Sequence, residues 1–305
     1  MRAFVGLVKR ELWEHPVLYV GPIAANAFFA LTTIVLVVRA IGSQENLRNI
    51  VSGLNMAGDT AIEVGRNLLL ASPIAMVVGV TTVVGYFYFV ECLYAERKER
   101  SILFFKSMPV TDTLTVLSKL FSGAVLLPVL SVLAFIVTQL LVTVFASAAI
   151  AFTDGEAGML LNAGSLLRNW IFTFYVLLSA VLWCAPFIAF LMLASAWAKR
   201  AVFLWSLSPL LVMHVESLLP GTNVLGRAII GHLGGYLAAA FSSDLEWSTA
   251  RGNALQRAVE TGPRHVLELA DPIGFVLEPA LWVGGAIAAA FVTGAIWLRR
   301  NRDDS

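Results

Sequence analysis

Apolar residues run along this chain in long blocks separated by short polar punctuation. Val17 to Val38 carries no charge, and about 20 apolar residues suffice to cross the hydrocarbon core of a bilayer. Similar blocks recur, and together they predict six membrane-spanning helices over 17–38, 71–93, 114–149, 170–198, 201–219 and 279–298. Ahead of them, Met1, Phe4, Val5, Val8 and Leu12 share one arc of a helical wheel, with Lys9, Arg10 and Glu14 opposite. That spacing predicts an interfacial amphipathic helix over 1–15, although Leu7, Glu11 and Trp13 blur it. Glu11, Glu14 and His15 interrupt the place where a signal peptide would need its apolar core. Pro16 separates this helix from the first span.

Polar positions refine the spans. Pro73 falls in the first turn of the second, where proline is tolerated. Pro128, Pro186 and Pro209 predict kinks in the third, fourth and fifth. Lys119, in the first turns of the third span, is expected to snorkel to the surface. Residues 39–70 read as a polar extramembrane loop and 152–169 as a polar link. The stretch 220–278 reads as an external segment. Its first part, 224–241, is apolar and glycine-rich and dips into the membrane or lies on it.

Composition supports the class. Hydrophobic residues make up 58% of the chain and charged residues 13%, against about 45–50% and about 25% in soluble domains. The fold class expected is therefore all-α, a polytopic membrane protein forming a single transmembrane domain over 1–305. The net charge of +1 gives no reason to expect a nucleic-acid partner. Cys92 and Cys184 show neither metal-ligand spacing nor a disulfide framework. Basic residues cluster beside span ends at Arg2, Lys9, Arg10, Arg97, Lys98, Arg100, Lys106, Lys119, Lys199, Arg200, Arg299, Arg300 and Arg302. With six spans these all fall on the side of the termini, which the positive-inside rule makes cytoplasmic.

Catalytic signatures are missing. No lysine follows a glycine, so there is no P-loop, and neither a zinc helix nor a nucleophile elbow occurs. No catalytic or metal-binding residue and no cofactor is expected of this chain. Glu91, His214 and Glu216 stand near span ends; each is a candidate in-membrane polar group or an ordinary interfacial one. Gly231 and Gly235, then Gly284, Ala288, Ala290 and Gly294, form small-residue faces that suit close helix packing.

The densest charge lies between the second and third spans, at Glu96, Arg97, Lys98, Glu99 and Arg100. On a helix Glu96 and Arg100 form an i,i+4 pair in the favourable order. Ile102, Leu103, Phe104 and Phe105 follow, and Pro109 ends the helix. Read from composition alone, this is either a solvated loop with topogenic charges or a surface for a soluble partner. The run Tyr94-Ala-Glu-Arg-Lys-Glu-Arg-Ser-Ile-Leu-Phe-Phe-Lys-Ser-Met-Pro-Val-Thr-Asp112, with Val116-Leu-Ser-Lys119, resembles the first intracellular loop of ABC exporter permeases of the type-2 membrane-domain family. The resemblance implies a permease subunit in a bacterial inner membrane, with both termini cytoplasmic. It would pair with a second copy and bind two separate ATPase subunits, which would hold the ATP and Mg. The 96–106 helix would be the coupling helix. Glu96, Arg97, Glu99 and Arg100 would make polar contacts, Ile102, Phe104 and Phe105 would fill an apolar cleft, and Met108 and Pro109 would shape the return to the membrane.

The cargo does not follow from the resemblance. The spans carry few charges, so an amphipathic or hydrophobic cargo suits them better than a small ion. Phe28, Phe29, Phe135 and Trp183 face either such a path or lipid. An ion-gradient-driven secondary transporter and a non-catalytic membrane protein remain alternatives. The first would show inverted repeats and broken spans with buried acids.

Overall fold

A computed structural model describes residues 2–42, 70–71, 73–98, 110–151, 162–218, 223–241 and 266–301. The described fold is all-helical, and five helices are long and apolar enough to cross a membrane. The long helices are α2 (Val17–Gly42), α3 (Ile74–Glu91), α6 (Leu127–Ala151), α7 (Ala163–Trp183) and α13 (Pro279–Asn301). The shorter α-helices are α1 (Arg2–Glu14), α4 (Tyr94–Lys98), α5 (Asp112–Phe121), α8 (Ala185–Trp197), α9 (Val202–Ser206), α10 (Ser208–Leu218), α11 (Val224–Ala240) and α12 (Pro272–Leu277), with a 3-10 turn over Val266–Leu269 before α12.

Helix α3 is central. Its buried side chains Val84, Tyr88, Phe89 and Val90 join Leu18 of α2, Leu127 of α6 and Met192 of α8 in one core. Farther along, Ile74 and Val77 join Phe135 of α6 and Phe172 and Val176 of α7 in a second. Outward faces stay apolar, as at Phe28, Leu31, Val137 and Val144. A surface of that kind belongs against lipid rather than water. Phe28 is on that outward surface, whereas Phe135 and Trp183 are core residues, 0% and 2% exposed.

The third block is continuous over Asp112–Ala151, close to its expected bounds. Helix α5 passes into α6 through a π-helical turn at Ser122–Leu126. Gly123 makes that turn possible, because a Cβ there would lie 2.7 Å from Tyr88 Cε1 and would also meet the Phe89 ring. Only glycine lets the wide turn rest on those two aromatics.

The fourth and fifth blocks depart from expectation. The fourth begins earlier, at Ala163, because the Asn162 side chain accepts a hydrogen bond from the Ser165 amide and caps the helix. It then divides at Cys184 into α7 and α8. The fifth block is two short helices, α9 and α10, divided at Leu207, and neither is long enough to span a membrane alone. Pro186 and Pro209 sit in the first turns of α8 and α10, where a missing N–H costs nothing. They start new helices rather than bend continuous ones. The glycine-rich stretch forms α11, which runs antiparallel to α7. The Tyr175 hydroxyl donates to Ala240 O at 2.6 Å, and eight residues deeper Trp183 Nε1 donates to His232 O at 2.7 Å.

Candidate functional site

Helix α1 buries its Leu7 and Glu11 face against α5, with Leu12 packed on the core. Glu11, the residue that spoiled the amphipathic pattern, is therefore the centre of the contact. Its carboxylate accepts from Lys119 Nζ at 3.0 and 2.9 Å. Lys119 does not snorkel: it is 0% exposed, and its third donor reaches Glu96 Oε1 at 3.1 Å. An ammonium has three donors, and all three are used. The Tyr88 hydroxyl of α3 stands 2.9 Å from Glu11 Oε1 and 3.1 Å from Lys119 O.

Glu96 is the second node. Its Oε2 accepts from Arg299 Nη1 at 2.6 Å, and Arg10 Nη2 donates to its Oε1 at 3.1 Å. Arg299, near the end of α13, also donates from Nε to Asp112 Oδ1 at 3.0 Å. Glu11, Glu96, Lys119 and Arg299 are thus all nearly or fully buried, two acids with two bases. A buried charge is tolerated only when paired and hydrogen-bonded, and this quartet meets that condition without net charge. Around it lie Arg10, paired with Glu14 at 3.2 Å, and His15, whose Nε2 is 3.4 Å from Glu11. Burial holds the His15 imidazole below its ordinary value, with Glu11 opposing that shift.

Helix α4 is fixed from a second direction. The chain turns at Cys92 and Leu93, which frees backbone donors, and the amides of Leu93 and Tyr94 both bond Ser195 Oγ at 3.1 Å. Arg97 donates to the carbonyls of Ser195 and Ala198, the latter at 3.1 Å, satisfying the end of α8. Glu96 and Arg97, to which the resemblance assigns partner contacts, therefore direct these polar groups into the bundle. Two long side chains on a short helix are held by partners from α1, α5, α8 and α13.

Of the other candidates, Glu99, Arg100, Ile102, Phe104, Phe105, Met108 and Pro109 lie outside the described residues. The two stems of that segment are described, and Arg299 grips both, through Glu96 before it and Asp112 after it. Glu91 is exposed at the end of α3, and His214 is exposed on α10. Glu216 accepts from the amides of Val224, Leu225 and Gly226 at 2.6, 3.0 and 2.8 Å, tying the end of α10 to the start of α11. That is a structural cap for donors a helix start leaves open. Among the described residues no cluster of His, Cys, Asp or Glu could hold a metal ion.

Sequence reasoning missed Glu11, Lys119 and Arg299 as members of one site. The available signal was the acid at the middle of an otherwise apolar helical face. No family model, curated protein or solved structure matches this chain.

Proposed function

We propose that this chain is the membrane-spanning permease subunit of an ATP-driven exporter. Segment 99–109 is the lever on which a separate ATPase acts. The observation that carries the reading is the double grip of Arg299 on Glu96 and Asp112, 2.6 and 3.0 Å. A segment pushed by a soluble partner must be stiff at both stems, or the push is absorbed locally. Here the stems are tied to each other, to α1 through Arg10, and to α8 through Arg97. Displacement of the segment is passed to helices at the sequence's beginning, middle and end. Bistable packed elements turn such shifts into a change of opening.

On this reading Glu99 and Arg100 orient the partner while Ile102, Phe104 and Phe105 fill its cleft, with Met108 and Pro109 shaping the return. Glu96 and Arg97 anchor the lever. The meeting of Arg10, Glu96 and Arg299 at one end of the bundle favours an even number of crossings. Six result when α7 with α8 counts as one and α9 to α11 together as another. Both termini are then cytoplasmic in a bacterial inner membrane. Two permease copies and two ATPase subunits assemble, the latter holding ATP and Mg, and an amphipathic or hydrophobic cargo crosses.

Co-purification tests the reading. The tagged chain is co-expressed with an ABC ATPase encoded beside it, as wild type and with Glu99→Ala, Phe104→Ala and Phe105→Ala combined. Stable binding that the triple change abolishes in a folded protein is the expected result. Absence of any bound ATPase under every nucleotide condition refutes the assignment and favours the ion-driven carrier.

A further inference from the structure

The turn between α8 and α9 builds an open cleft beside the Arg97 anchor. Ala201 has a left-handed φ of 52°, and the chain reverses sharply there. The reversal sets Trp205 of α9 against Trp197 of α8 edge-on, ring centroids 4.3 Å apart. Both indoles stay partly exposed, at 47% and 42%. With Ala198, Lys199 and Arg200 they line a cleft of about 600 Å³. Among the described residues neither Lys199 nor Arg200 makes an ion pair, and none of those lining the cleft is a carboxylate.

The same two indoles also line a second cavity of about 270 Å³, with Phe190, Leu193 and Leu298. This one is mostly apolar, with Ser208 of α10 at its wall, and lies among α8, α9, α10 and α13. Two cations thus stand at one side of an indole pair and a greasy groove at the other. The cleft lies at the end of the bundle where Arg97, Arg10 and Arg299 gather, since Arg97 bonds Ala198 O itself. Beside it Phe203 and Leu204 point outward, 49% and 68% exposed.

We propose that this cleft holds an anionic phospholipid, its phosphate between Lys199 and Arg200 and an acyl chain in the groove toward Leu298. The charge complementarity selects the headgroup. Tryptophan at such a boundary suits a ligand with one wet end and one apolar end. A free anion would occupy only the basic half, leaving the groove unexplained. The neighbouring exposed apolar Phe203 and Leu204 suit a lipid environment better than a soluble protein. Basic pockets between helices at the membrane surface bind acidic headgroups by the same chemistry.

Native mass spectrometry of the detergent-purified full chain reads the bound lipid directly. The probes are phosphatidylglycerol, phosphatidylcholine and inorganic phosphate. The wild type should retain phosphatidylglycerol in preference to phosphatidylcholine and keep it against added phosphate. Each cation removed should weaken retention roughly fivefold, about 1 kcal/mol apiece, so Lys199→Gln with Arg200→Gln should nearly abolish it. Exchanging the two, Lys199→Arg with Arg200→Lys, should preserve it and serves as the control for folding. Equal retention of phosphatidylcholine, or unchanged retention in the double glutamine variant, overturns the proposal. Displacement by inorganic phosphate reassigns the site to a soluble anion. Loss of a co-purified ATPase from the double glutamine variant, with lipid retention unchanged, reassigns it to a protein. The lipid readout requires no ATPase, so its failure and the failure of the permease reading are separable.

Discussion

Arg299 and Glu96 lie 203 positions apart and meet at 2.6 Å in the buried end of the bundle. Removing one partner of a buried pair costs about 3–5 kcal/mol, because the other charge stays buried alone. Arg299→Met should therefore lower the thermal unfolding midpoint sharply in detergent. Arg299→Lys should recover only part of the loss, since a single ammonium lacks the fork that spans Glu96 and Asp112 together.

Lys119 offers a cleaner test of pairing. Lys119→Met alone leaves the Glu11 carboxylate buried without its main partner and should destabilise by about 3–5 kcal/mol. Combining it with Glu11→Leu removes both charges and should cost less than the single change. A double-mutant cycle on unfolding midpoints measures the coupling. Additive losses would mean the two side chains do not act as a pair.

His15 sets a pH dependence. Its folded value is lowered from 6.5 by burial, so the folded state binds its proton less readily than the unfolded chain. Its contribution to stability is complete above pH 6.5 and declines as pH falls through the lowered folded value. A midpoint that falls with acidification in this window, and falls less in His15→Gln, is the expected profile.

Gly123 is predicted to resist even the smallest side chain. Gly123→Ala places a Cβ 2.7 Å from Tyr88 Cε1 and against Phe89, both buried. Overpacking of this kind costs about 1–3 kcal/mol. Displacing Tyr88 also takes its hydroxyl from Glu11. Differential scanning of the purified variant reads the loss.

Ala201 works in the opposite direction. A left-handed alanine costs about 1 kcal/mol that glycine does not. Ala201→Gly should raise the midpoint slightly and leave the turn in place, whereas Ala201→Val should lower it.

The long apolar blocks were legible because each depends on its own residues. Val17–Arg39 and Pro279–Asn301 could be drawn from composition alone, and they fold near the expected bounds. The divisions at Cys184 and Leu207 were only half legible. Pro186 and Pro209 marked them, but a proline equally fits a bend within a helix or the first turn of a new one, and neighbouring helices decide which. The buried charges were the least legible. Lys119 looks like a surface lysine until Glu11 and Glu96 arrive from distant positions to satisfy it. Arg299 resembles an ordinary topogenic arginine until Asp112 and Glu96 are placed beside it. No local pattern encodes such a meeting.

The quartet also has a consequence for how the molecule is made. Glu11 is synthesised first, Glu96 and Lys119 next, and Arg299 only when α13 follows. Until that last helix enters, Glu96 and Asp112 lack the cation that joins them. A nascent or truncated protein therefore carries a charge defect at the membrane surface, not merely one helix too few. The last turn of α13 thus closes an ion network that α1, α4 and α5 leave open among themselves.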